Sequence, residues 1–186
     1  MSFDTTLFKV EVTITDRNRA FWVNKSWVSS DLAPTIRAAD ILVTPLVEFR
    51  LEHEALFPSG TTDFLRALKS ELPEQGLVVA IDQDRYEEIA LHSKQIRWPT
   101  LMLSAVILPL LVNALTEIAK KRLLDEPSKH ATIEMSVIVE GHRGHCIEIK
   151  YNGPANDLAK TLLEQSDACL QMAERDVKSA KRSPGK

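Results

Sequence analysis

The chain's 186 residues are 44% apolar and 26% charged, an ordinary globular balance that can bury a core and argues against a fibrous or disordered chain. A formal net charge of -3 is not the basic footprint of a duplex-binding domain, so nucleic acid is not an expected partner. Two cysteines, Cys146 and Cys169, are too few for a disulfide framework. Residues 1–15 lack the basic-then-apolar plan of a secretory signal, and the expected location is the reducing cytoplasm.

Residues 7–15 alternate strictly. Phe8, Val10, Val12 and Ile14 face one way, and Lys9, Glu11 and Thr13 the other, which predicts a half-buried strand. Residues 16–40 are irregular, with a short helix after Pro34. They interleave Arg17, Arg19 and Lys25 with Phe21, Trp22 and Trp27, a pattern shared by core packing with a charged rim, by aromatic anchors of an interface and by stacking platforms for single strands. Residues 41–52 read as a strand broken at Pro45, with Val47, Phe49 and Leu51 alternating beyond it. After Pro58-Ser59-Gly60, a hydroxyl of Thr61 or Thr62 is expected to cap a helix whose apolar face is Phe64, Leu65, Leu68 and Leu72. Residues 77–81 are a continuous apolar run and predict a central strand covered on both faces. Strand, helix and strand over 46–81 leave room for a crossover, so part of the sheet is expected to be parallel. A helix from Asp84 to Ser93 follows.

Trp98 to Thr116 is the anomaly: nineteen residues with no charge. In a helix, Ser104 and Asn113 would lie about 180° apart, so no polar face forms before Thr116. A segment apolar all round is buried or spans a membrane. Its length suits a span of about twenty residues, but its flanking basic residues are balanced and set no orientation. Pro109 disfavours a straight core helix. The expectation is a kinked helix whose faces are shared between its own core and a neighbouring chain, with a membrane anchor over 98–116 as the alternative.

Residues 132–140 and 145–151 predict a hairpin turned at Gly141-His142-Arg143-Gly144. Ile133, Met135, Val137 and Val139 share a side with Ile147, Ile149 and Tyr151. Pro154 suits the first position of a long amphipathic helix carrying Leu158, Leu162, Cys169, Leu170 and Val177 on one stripe. A basic tail ends the chain.

Asp82 and Asp84 are the catalytic candidates, because they follow the apolar run directly and ligands in open α/β sheets bind at the carboxyl ends of strands. Two carboxylates there could hold Mg²⁺, or one could attack a phosphoryl group. Ile81-Asp82-Gln83-Asp84 resembles the first motif of haloacid-dehalogenase-type phosphatases, which implies phosphate transfer. Tyr86 stands where that motif has Thr or Val, the strand is not the first of the chain, and no downstream lysine with paired acids follows. The competing role is capping of the following helix by Asp82 or Asp84. His142, His145 and Cys146 offer soft ligands for zinc but lack a fourth, and neighbours on a strand point to opposite faces.

The reading is therefore an α+β protein. Its parts are a mixed N-terminal sheet with a crossover helix (1–97), a central apolar kinked helix (98–124), and a β-hairpin with a long helix (125–186) that packs with the first part as one domain. The expected role is a non-enzymatic interaction or regulatory subunit, without a cofactor, assembling as a homo-oligomer or with a protein partner. Trp22, Trp27, Trp98, Leu101, Leu108, Leu111 and Leu115 are its expected interface residues. The alternatives are a Mg²⁺-dependent phosphate-transfer enzyme using Asp82 and Asp84, and a membrane-associated protein.

Overall fold

The computed structural model describes residues 8–46, 55–90, 95–125, 132–141 and 146–167. The expected strand over 47–52, the hairpin turn with His142 and His145, and the final helix beyond residue 167 lie outside them. The architecture is α+β. Strands β1 (Lys9–Thr15), β2 (Ile41–Thr44), β4 (Leu77–Val79), β6 (Ile96–Arg97), β7 (Thr100–Ser104), β8 (Thr132–Glu140) and β9 (Cys146–Pro154) form one seven-stranded sheet, and β3 (Leu56–Pro58) and β5 (Glu87–Ile89) form a small parallel one. The helices are α1 (Arg19–Val23), α2 (Leu32–Ala38), α3 (Thr61–Glu71), α4 (Leu108–Asp125) and α5 over residues 158–167.

The main sheet runs β1-β9-β8-β7-β2-β4, with β6 also paired to β8. The expected hairpin is β8 and β9, with Met135 opposite Tyr151, Val137 opposite Ile149 and Val139 opposite Ile147. The N-terminal strand closes on it from far away in sequence, antiparallel to β9. The expected crossover is present as well: β2 and β4 are parallel, with α3 between them. However, β4 is an edge strand of intermediate burial, not a central one. Its apolar run is nonetheless packed on both faces: Leu77, Val79 and Ile81 join the core that holds Phe64 and Leu68, and Val78 and Ala80 the one that holds Trp22 and Ile36. The helix expected over 84–93 is instead a 3-10 turn at Gln83–Arg85 followed by β5.

The uncharged segment is not one kinked helix. Its first part is β7, which lies between β8 and β2, and its second part is α4. A central strand is apolar on both sides for the same reason as a buried helix, so lack of charge alone cannot separate the two. Pro109 is the second residue of α4. There its missing N–H is one of the donors that has no intrahelical acceptor, so it starts the helix without kinking it. Among the described residues, no helix is long and apolar enough to cross a membrane, which removes the anchor reading of 98–116.

Strand alternation gives the sheet two unlike faces. One carries Ile41, Val43, Leu101, Leu103, Val137, Val139 and Ile149, packed against Phe64 and Leu68 of α3, Leu111 and Leu115 of α4, and Leu158 and Leu162 of α5. The other carries Leu42, Met102, Ile138 and Cys146 beneath Trp22 of α1 and Ile36 of α2. Asn18 caps α1 by accepting the Phe21 amide at 3.0 Å.

The start of α3 departs from expectation. The Thr61 hydroxyl donates to the Pro58 carbonyl at 2.6 Å and so does not cap the helix. The small sheet brings Glu88 to the helix start instead, where it accepts the amides of Gly60 (2.8 Å) and Thr62 (2.7 Å) and the hydroxyls of Thr62 and Tyr86 (both 2.7 Å). A carboxylate at the positive end of a helix is favourable. Gly60 makes the turn in the left-handed region, at φ 86°.

Candidate functional site

Along the second face, the strands change from apolar to polar within a few residues. Past Leu42, Met102, Ile138 and Cys146, the same face presents Thr44, Thr100, Ser136 and Glu148. No helix covers this half among the described residues. It forms a cleft of about 330 Å³, and its floor is built by β1, β9, β8, β6, β7 and β2.

The register sets the floor. Glu11 stands opposite Lys150, and Lys150 opposite Ser136. Lys9 and Glu134 both stand opposite Asn152, and Arg97 of β6 lies beside Glu134. The charges are organised in pairs. Arg97 Nε lies 2.9 Å from Glu134 Oε2, Arg17 Nη1 is 3.5 Å from Glu148 Oε2, and Lys9 Nζ is 3.8 Å from Glu11 Oε2. Glu148 is the unusual member: it is only 5% exposed, and its Oε1 accepts the Ser136 hydroxyl at 2.9 Å. A carboxylate that deep is tolerated only with its lone pairs satisfied, and Arg17 and Ser136 do this.

Trp22 and Trp98 line the walls with Pro45, Leu46 and Pro58. Trp22 is fully buried, edge-on to Phe21 with centroids 5.0 Å apart; Trp98 leans on Phe64 at 5.0 Å. Neither indole nitrogen has a hydrogen-bond partner among the described residues. Among the described residues, four cations (Lys9, Arg17, Arg97, Lys150) and three carboxylates (Glu11, Glu134, Glu148) line the cleft. Ser136 donates to a carboxylate that is itself paired with Arg17.

The residues singled out in the sequence fall elsewhere. Of the expected interface residues, Trp22, Leu101, Leu111 and Leu115 are fully buried, Leu108 is 2% and Trp98 4% exposed, and Trp27 is partly buried against the same core. They are packed inside their own chain, because β7 is a central strand and Leu108, Leu111 and Leu115 lie on the buried face of α4. Of the other aromatics and bases in 17–27, Arg19 forks onto Glu140 at 2.9 and 3.1 Å, and Lys25 lies 3.9 Å over the Phe21 ring.

Asp82 and Asp84 do not converge on a ligand site. Both oxygens of Asp82 are occupied by Ser29, through its amide (2.9 Å) and its hydroxyl (2.7 Å), which pins the turn leading into α2. Asp84 is exposed on the 3-10 turn. Asp82 is thus an anchor, though for a turn distant in sequence and not for the following helix. Cys146 is buried under α1 and α2. Burial pushes its thiol up to about 11, with the Glu140 charge adding and Arg19 opposing. That is the opposite of a reactive thiolate. Among the described residues no group of three or more His, Cys, Asp or Glu side chains could hold a metal, and His142 and His145 lie outside them.

The cleft residues were visible in the sequence only as the polar positions of alternating strands. The available signal was that three strands, β1, β8 and β9, each carry charges at these positions. Their convergence needs the β1–β9 register. No protein-family model, curated protein or solved structure matches the chain.

Proposed function

We propose that this chain is a non-enzymatic binding protein whose ligand enters the cleft on the second sheet face. The observation that supports this most directly is the nearly buried Glu148–Arg17–Ser136 network on a half-face that no helix covers among the described residues. A sheet face that merely meets water does not need to order a buried carboxylate. The charge balance favours a small, singly anionic carboxylate. Among the described lining residues, three cation–carboxylate pairs leave Lys150 as a fourth cation.

The test is a titration of ¹⁵N-labelled protein with acetate and benzoate against chloride at matched ionic strength, following backbone amides and tryptophan indoles. Saturable shifts confined to β1, β8, β9 and the Trp22 and Trp98 indoles, weakened by Lys150→Met, are expected. Shifts no larger than those given by chloride would sink the reading.

A second reading, an assembly subunit, keeps one supporting observation. On β1, Ile14 is 83% exposed and Val12 36%. The interface would then lie at the sheet edge and not on the uncharged segment. Nothing comparable favours phosphate transfer, since the Asp82 carboxylate is already engaged by Ser29.

A further inference from the structure

Edge strands normally protect themselves by being short, by carrying inward charges or proline, or by being covered. The two edges of the main sheet differ in this respect. The β4 edge has three residues. The β1 edge has seven, Lys-Val-Glu-Val-Thr-Ile-Thr, without proline or glycine, and among the described residues no strand pairs with its outer side. Its apolar side becomes progressively more exposed along the strand. Val10 packs partly against the core, Val12 is 36% exposed and Ile14 83%. A row of free backbone groups beside uncovered β-branched side chains is a template for another strand.

We propose that the occupant is β1 of a second copy of this chain, paired antiparallel about a two-fold axis through Val12. Opposed residues in a sheet continuous across such an axis share a face, so only pairings between residues of like parity are allowed. Of these, the axis at Val12 uses all seven residues. It sets Ile14 of one copy opposite Val10 of the other, so the most exposed apolar side chain lands beside the best covered one. It also sets Lys9 opposite Thr15 and Glu11 opposite Thr13, so no like charges face each other. Moving the axis to Glu11 would oppose two carboxylates, which destabilises a strand pair. The pairing does not depend on the cleft binding anything. It would, however, bring Thr13 of the second copy next to Glu11 at the cleft rim.

Sedimentation equilibrium of the full chain tests the pairing. A monomer–dimer equilibrium is expected, with Ile14→Lys weakening dimerisation about tenfold or more, the scale of a buried charge displacing an apolar contact. Because Ile14 is mostly exposed, that variant keeps its fold, which circular dichroism checks. Cross-linking fixes the register independently. In a Cys169→Ser background, Val12→Cys faces its own copy across the axis and forms an intermolecular disulfide faster than Glu11→Cys. A chain that stays monomeric into the millimolar range overturns the proposal, even if its Val12 and Ile14 amides resist exchange, since the cover is then its own. So does a dimer indifferent to Ile14→Lys, or faster cross-linking at residue 11 than at residue 12.

Discussion

The two faces of the main sheet are built from alternate residues of the same strands, yet they serve different ends. The first is apolar from β2 to β9 and is sealed by α3, α4 and α5. Among the described residues, helices cover the second over Leu42, Met102, Ile138 and Cys146, beyond which it becomes the charged cleft. Period-two geometry makes this possible, because a strand can change character on one face without disturbing the other. The first face supplies stability in proportion to the area it buries. The second gives up part of that area and gains an arranged set of charges.

Substitutions can break this contrast, and the largest effect belongs to the sealed face. Leu103→Ala or Leu111→Ala, both at fully buried positions, should lower unfolding stability by about 2–5 kcal/mol in urea titrations. A loss smaller than that from any cleft variant would mean that the first face is not the main source of stability. Next comes the floor of the cleft. Glu148→Ala removes the acceptor of Ser136 and the carboxylate beside Arg17 at a nearly buried position and should cost about 1–3 kcal/mol, whereas Glu148→Gln, which retains the acceptor, costs less. Equal costs for the two would show that the network is not ordered around the carboxylate.

Asp82→Asn tests the anchor outside both faces. It should lose about 1 kcal/mol as the Ser29 contacts weaken, with faster amide exchange before α2. An unchanged exchange pattern would undo the anchoring role. Smaller still is the pH response of the α3 cap. Burial works to raise the pKa of Glu88, but its hydrogen bonds from Thr62, Tyr86 and Gly60 prevail and lower it. The folded value is then below the unfolded one, so this contribution is present above the usual carboxylate pKa and is lost as pH falls through the folded pKa. Glu88→Gln should flatten that acid limb.

Tyr86 moves oppositely. Burial, aided by its hydrogen bond to Glu88 and that carboxylate's charge, raises it from 10.0 to about 12 against the hydrogen bonds from Thr62 and Thr61. Its stabilisation is therefore complete below pH 10 and lost between 10 and 12, a loss that Tyr86→Phe should remove while keeping the stack on Phe57. The smallest effect is expected at the open edge. Ile14→Lys should change monomer stability by no more than about 0.5 kcal/mol, while weakening the pairing inferred above.

Some of this was legible in the chain. The alternation at Phe8–Ile14 and in the hairpin over 132–151 specified strands and the side each residue takes, and the periodicity of 61–72 specified α3, but β9 runs on to Pro154, which was expected to open a helix. The uncharged run specified burial but not form, because Leu101–Leu103 in a central strand and Leu111–Leu115 in a covered helix satisfy the same absence of charge. Likewise Asp82 could be recognised as a carboxylate at the end of an apolar run, but not as a partner for Ser29, which stands 53 residues away.

Local patterning by itself determined which segments are buried and, where the period was clear, which side chains share a face. These are properties of neighbouring residues and the fixed geometry of the backbone. Strand order and register were decided only in the folded chain. They brought Glu11 beside Lys150 and Arg97 beside Glu134, left β1 at an open edge, and converted solvent-side positions on separate strands into one cleft. Such contacts join residues far apart in sequence, and their energies are settled by long-range packing that no local window contains.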